Sequence, residues 1–157
     1  MIAAMPQPDK PTTRDGAATM SSQINILFID DSRDDPELAV LKLQRAGVAV
    51  DYRRVATLAE VENTISDTAW DIILCDCKLP GFTALNVWTR LQELDVKVPF
   101  AVFADLVLNT EIRKLLDAGV HLFVDKNRLD EFEPTLRRFL RRAERDVKVI
   151  TKRGDDR

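Results

Sequence analysis

From Gln23 onward, short apolar runs alternate with amphipathic stretches, five of each. The runs are Ile24–Ile29, Val48–Val55, Trp70–Cys75, Val98–Ala104 and Val120–Val124. Four are almost continuously apolar, which predicts strands covered on both faces. The second alternates instead, with Val48, Val50 and Tyr52 separated by Ala49, Asp51 and Arg53. That pattern predicts an edge strand. Between the runs lie helix signals. Asp35-Pro36 reads as an N-cap followed by proline at the first helical position, and Gly47 ends that helix. Thr57 and Glu60 form a capping box, in which each side chain meets the other's orphan amide. Leu85, Trp88 and Leu91 make a buried stripe between Phe82 and Leu94, and Ile112, Leu115 and Leu116 make another before the C-cap Gly119. A last helix begins near Asp130 with Pro134 in its first turn. The order is (βα)5, and right-handed crossovers between parallel strands make an open, doubly wound α/β sheet the expected architecture. No repeat with a period of 20–50 residues is visible.

Residues 1–22 carry Pro, Thr, Ala and scattered charge without periodicity, and read as a disordered N-terminal arm. They lack the basic start and apolar stretch of a secretory signal. Met20 is a candidate translation start. The globular domain is expected over 23–145, with 146–157 as a helical extension and tail. Leu129, Leu136, Ala143 and Ile150 fall seven apart. That stripe reads as core-facing as far as Ala143 and as a linker or pairing helix beyond it. Arg137, Arg138, Arg141, Arg142 and Arg145 form a basic outer face, expected to be solvated or ion-paired.

Composition narrows the function classes. Hydrophobic residues at 45% and charged residues at 31% suit a soluble domain with a real core. Lys plus Arg number 23 against 26 Asp plus Glu, a net charge of -3, so bulk positive charge does not hold this chain on nucleic acid or membrane. One histidine excludes a site built on two imidazoles, and two cysteines, Cys75 and Cys77, cannot build a tetrathiolate zinc site or a disulfide framework. The longest apolar run falls far short of the roughly 20 residues of a membrane span. A cytoplasmic protein with reduced thiols is expected.

Open α/β sheets bind ligands beyond the carboxyl ends of their strands. This chain places Asp30 and Asp31 after the first strand, Asp76 after the third, Ala104 and Asp105 after the fourth, and Lys126 after the fifth. Singly, each has an ordinary role as turn former, cap or solvated lysine. Together, three carboxylates and an ammonium from distant positions make a competent aspartyl-phosphate site. Clustered carboxylates repel, a hard dication such as Mg²⁺ relieves that repulsion, and a lysine balances a phosphoryl group.

Over about residues 23–145 the chain resembles the CheY-like receiver domain of two-component response regulators. The resemblance rests on ILFIDDS with Asp30 and Asp31, DIILCDCKLPGF with Asp76 and Pro80, and AGVHLFVDKN with Lys126. It implies a strand order of 2-1-3-4-5 and Asp76 as the phosphoacceptor. It implies that Asp31 ligates Mg²⁺ directly and Asp30 through water, that the Lys78 carbonyl is a further ligand, and that Lys126 holds the phosphoryl group. A histidine kinase or phosphotransfer protein would be the donor. LPGF and the Lys126-Asn127 pair look more like receivers attached to sensory or cyclic-dinucleotide signalling proteins.

Two switch positions depart from the family pattern. Ala104 stands where receivers carry a Ser or Thr hydroxyl, and Phe123 lacks a phenolic oxygen. A hydrogen bond to a charged group is worth about 1.5–3 kcal/mol, a substantial part of the roughly 5.5 kcal/mol that drives a full two-state switch. Asp105 adds a carboxylate near the mouth, which Lys78 would offset in part, unless both side chains face solvent. The expectation is a single-domain receiver that passes its signal to a downstream protein by contact, since only about 12 residues follow the domain. A second copy of the chain is a further candidate partner. The alternative is a pseudo-receiver, a binding or dimerisation module that works without phosphorylation. No DxD nucleophile motif marks an aspartyl phosphatase, and the chain does not read as an enzyme.

Overall fold

A computed structural model describes residues 23–106, 110–120 and 122–141 of the protein. The strands of its main sheet are β1 (Ile24–Ile29), β2 (Val50–Val55), β3 (Ile72–Cys75), β4 (Phe100–Ala104) and β5 (Phe123–Asp125). They lie in the order β2-β1-β3-β4-β5, every neighbouring pair parallel. The helices are α1 (Asp34–Arg45), α2 (Leu58–Thr64), α3 (Ala84–Glu93), α4 (Ile112–Asp117) and α5 (residues 132–141), the last entered through a 3-10 turn at Leu129–Glu131. The alternation read from the sequence therefore holds, and β2 is an edge strand, as its mixed pattern predicts.

Period-two alternation splits the core into two layers. Leu27, Ile29, Ile73, Cys75, Val102 and Ala104 face one side with Val61, Val87, Leu91 and Leu115 from α2, α3 and α4. Ile26, Phe28, Leu74 and Phe103 face the other with Ala39, Val40 and Leu43 of α1 and Phe132 and Leu136 of α5. Phe103 anchors the second layer, with ring centroids 5.9 Å from Phe28 and 6.2 Å from Phe132. Complete burial of one such ring stabilises the fold by roughly 1.5–3 kcal/mol.

The helix ends show which local signals were sufficient. Thr57 and Glu60 form the capping box at α2. The α4 end is a Schellman motif: Gly119 N–H donates to Leu116 O and Val120 N–H to Leu115 O, with Gly119 at φ +107°. After α3 the same pair of bonds forms around Asp95, whose φ of +59° carries a Cβ penalty that glycine would avoid. Trp88, midway along α3, reaches the end of α4, its Nε1 donating to Ala118 O at 2.9 Å.

Three local readings need correction. Asp35 is not the cap of α1. That helix starts at Asp34, Arg33 occupies the N-cap position without a side-chain bond, and Pro36 sits at the third helical position. Proline fits there because first-turn amides have no intrahelical partner. On α4 only Leu115 is buried, whereas Leu116 is 48% exposed, because six residues give one narrow inward face. On α3 the fully buried positions are Ala84, Val87 and Leu91, with Leu85 and Trp88 half-buried beside them. A further antiparallel pair, Lys78–Leu79 with Phe82–Thr83, turns at Pro80-Gly81 and leads into α3 through the Thr83–Asn86 capping box. The arm at 1–22, Met20, and the heptad and basic positions from Arg142 onward lie outside the described residues. Among the described residues, no helix is long and apolar enough to cross a membrane.

Candidate functional site

The parallel topology brings the carboxyl ends of β1, β3, β4 and β5 to one edge of the sheet. Asp30 follows β1 and is completely buried. Its N–H donates to Val55 O (3.0 Å), and its carbonyl accepts from Arg54 Nη1 (2.9 Å), fixing it between β1 and β2. Its Oδ1 accepts from the Ser32 N–H at 2.9 Å. Its buried Oδ2 has no hydrogen bond, although Lys126 Nζ stands 3.0 Å away as a counter-charge. Burial pushes the Asp30 carboxyl above its ordinary range; the Ser32 amide and Lys126 pull it back only in part.

Asp76 follows β3, its N–H bonded to Ile29 O at 2.9 Å. One carboxylate oxygen accepts from the Cys77 N–H (2.8 Å) and the other from Lys126 Nζ (3.2 Å). Asp31 is exposed at the mouth. Oxygens of Asp30, Asp31 and Asp76 lie within 4.8 Å of one another. That all-oxygen set, in which the buried Asp30 carboxylate has only one ammonium against it, fits a hard dication such as Mg²⁺.

Lys126 follows β5, its N–H bonded to Ala104 O at 2.9 Å. Its ammonium meets three carboxylates: Asp35 Oδ2 at 2.9 Å, Asp30 Oδ2 at 3.0 Å and Asp76 Oδ2 at 3.2 Å. It also stands 5.2 Å from the centre of the Phe103 ring. Burial alone would lower the ammonium's pKa; the contacts with Asp35 and Asp30 and the charge of Asp76 outweigh it and hold the group above its ordinary value.

The four charged residues expected at the site, Asp30, Asp31, Asp76 and Lys126, therefore meet. Lys78 begins the short antiparallel pair just after Asp76 and Cys77, with its side chain exposed. Ala104 is 2% exposed and ends β4 as a methyl group. Phe123, opposite Val102 in the register, is half-buried against the α2–α4 layer. Asp105 does not simply face solvent: it is half-buried, and its Oδ1 is buried without a hydrogen bond. Asp35 was missed. Its local signal, an acid before a proline, points to a cap; only the topology, which brings the start of α1 to the end of β5, reveals its partner.

Comparison with protein families matches residues 26–150 to the response regulator receiver domain. No curated protein matches significantly. Among solved structures, the non-phosphorylated HemR receiver domain from Leptospira biflexa is similar at 22% identity, covering 74% of this chain and 94% of that one, with a TM-score of 0.60. A CheY-like receiver domain protein from Methanospirillum hungatei is 19% identical over 80% of this chain and 99% of its own, with a TM-score of 0.65. The receiver domain of a sensor histidine kinase from Pseudomonas aeruginosa, with magnesium ion coordinated in the active site cleft, is 22% identical over 76% and 98%, with a TM-score of 0.61. Domains of this type accept phosphoryl groups and carry signals in two-component systems. With the family match spanning most of the sequence, the chain belongs to the response regulator receiver domain family.

Proposed function

We propose that this protein is a receiver that accepts a phosphoryl group on Asp76 with Mg²⁺ and signals by protein–protein contact. The observation that carries this reading is the setting of Asp76. One oxygen is held by the Cys77 amide and the other lies 3.2 Å from Lys126 Nζ, within a carboxylate cluster suited to a dication. A carboxylate oxygen of Asp76 attacks the phosphorus of a phosphohistidine or acyl phosphate. The bond from phosphorus to the leaving group breaks, and its electron pair departs with that group. Lys126 balances the negative charge that arrives. Asp30, Asp31, Asp76 and the Lys78 carbonyl would hold Mg²⁺, which supplies Lewis-acid neutralisation of the phosphoryl oxygens when bound. The magnesium in the Pseudomonas aeruginosa neighbour supports that assignment by analogy.

A histidine kinase or phosphotransfer protein is the proposed donor. A downstream protein or a second copy of this chain is the proposed receiver of the signal, in a cytoplasmic phosphorelay. The domain itself is read as a stoichiometric acceptor, not an enzyme. Intact-mass measurement after incubation with acetyl phosphate and Mg²⁺ tests the central step. Wild type is expected to gain one phosphoryl mass and Asp76→Ala none; no gain in wild type, or an equal gain in the variant, defeats the reading. One observation favours the second reading, a module independent of phosphorylation. Ala104 puts a buried methyl where the family's switch uses a hydroxyl.

A further inference from the structure

Among the described residues, Asp35 is the one carboxylate around Lys126 that the phosphoacceptor reading leaves without a role. A lysine ammonium has three protons and no acceptor, and three carboxylates surround this one within 3.2 Å. Two of the three are committed elsewhere once the site is charged. Asp30 belongs to the oxygen cluster suited to the dication. The Asp76 oxygens become part of the acyl phosphate, so that contact passes to a phosphoryl oxygen. Asp35 lies outside that cluster and holds the shortest of the three contacts.

We propose that Asp35 is a positioning residue that holds the Lys126 ammonium in competition with the incoming phosphoryl group, and so sets how tightly the site retains that group. The inference rests on the reading of Asp76 as phosphoacceptor. The surroundings of Asp35 support it. Its side chain is 42% exposed against 0% for Asp30, so it can exchange Lys126 for water without stranding a buried charge. The α1 start that carries it has no side-chain cap.

Competition predicts opposite signs for two ligands. Without the Asp35 charge, Lys126 is freer for a phosphoryl oxygen, yet it also leans harder on Asp30 and Asp76, where it opposes a cation. The test titrates Mg²⁺ alone, and then beryllofluoride at saturating Mg²⁺, into wild type, Asp35→Asn, Asp35→Ser and Asp35→Glu, followed by amide chemical shifts. Both neutral variants are expected to bind beryllofluoride roughly fivefold tighter and Mg²⁺ about twofold to threefold weaker, the scale of a half-exposed ion pair. Asp35→Glu, which keeps the charge, is expected to return both affinities towards wild type. A merely structural role would weaken both ligands together, with a lowered thermal midpoint. If the neutral variants bind beryllofluoride no tighter than wild type, or if Asp35→Glu tightens it equally, the inference is overturned while the phosphoacceptor reading stands. If wild type binds no beryllofluoride at all, that reading fails and takes the inference with it.

Discussion

The ends of β1 and β4 stand at the same edge of the sheet and differ sharply in chemistry. At the end of β1, Asp30 is bonded through its amide, its carbonyl and one carboxylate oxygen, and the other oxygen faces an ammonium at 3.0 Å. The following turn adds Asp31, and the first turn of α1 adds Asp35. At the end of β4, Ala104 offers a methyl, and Asp105 leaves one buried oxygen without a hydrogen bond. Capturing a phosphoryl group needs charge, and the β1 side has it. Reporting the capture to a distant surface, in this family's usual manner, needs a hydroxyl, and the β4 side lacks it. The two tasks are chemically separable, and on the function proposed above this chain keeps the groups for the first.

The largest effect should come from removing the cation that the β1 side depends on. Lys126→Met leaves Asp30 buried without an opposing charge and should cost about 2–3 kcal/mol at pH 7, read by urea unfolding. The sign with pH follows from Asp30, whose carboxyl burial already holds high. Folding favours its protonated form, so this variant should regain stability as the pH falls through that raised value. In wild type, the raised pKa of Lys126 means that its contribution is fully present at neutral pH and is lost only as the pH rises through the raised value. An unchanged unfolding midpoint at pH 7 would remove the contrast between the two strand ends.

Supplying the missing hydroxyl on the β4 side should have a smaller effect. Ala104→Ser adds one oxygen in a buried position and should tighten beryllofluoride at saturating Mg²⁺ by about 1.5 kcal/mol, roughly tenfold. Weaker binding would place the β4 end outside the phosphoryl site. The smallest effect lies away from both ends. Asp95→Gly relieves the positive φ after α3 and should stabilise the fold by about 0.5–1 kcal/mol, less the small loss of the exposed Lys97 contact. Calorimetry that showed destabilisation instead would assign Asp95 a role beyond the helix cap.

What the sequence made legible follows the range of the interaction. Strand positions and the edge character of β2 were readable because apolar periodicity is written within a few residues. Thr57 and Glu60 were readable because both partners of the capping box lie in one turn. Asp35 was misread because its partner, Lys126, is remote in sequence and is brought near only by the parallel crossovers. The Lys78–Thr83 pair escaped notice because two-residue strands carry no periodicity. Of the site, the residue types and their strand-end positions were legible, whereas the sharing of one ammonium among three carboxylates depends on distances that only the folded chain defines.

The indole of Trp88, bonded to the last turn of α4, gives this domain an optical gauge of its own. A displacement of that helix end relative to α3 that broke the Nε1–Ala118 contact would change the surroundings of the half-buried ring and with them its emission. Trp70, whose Nε1 is bonded to Thr64 O near the β2 edge, supplies a steady background against which such a change is read.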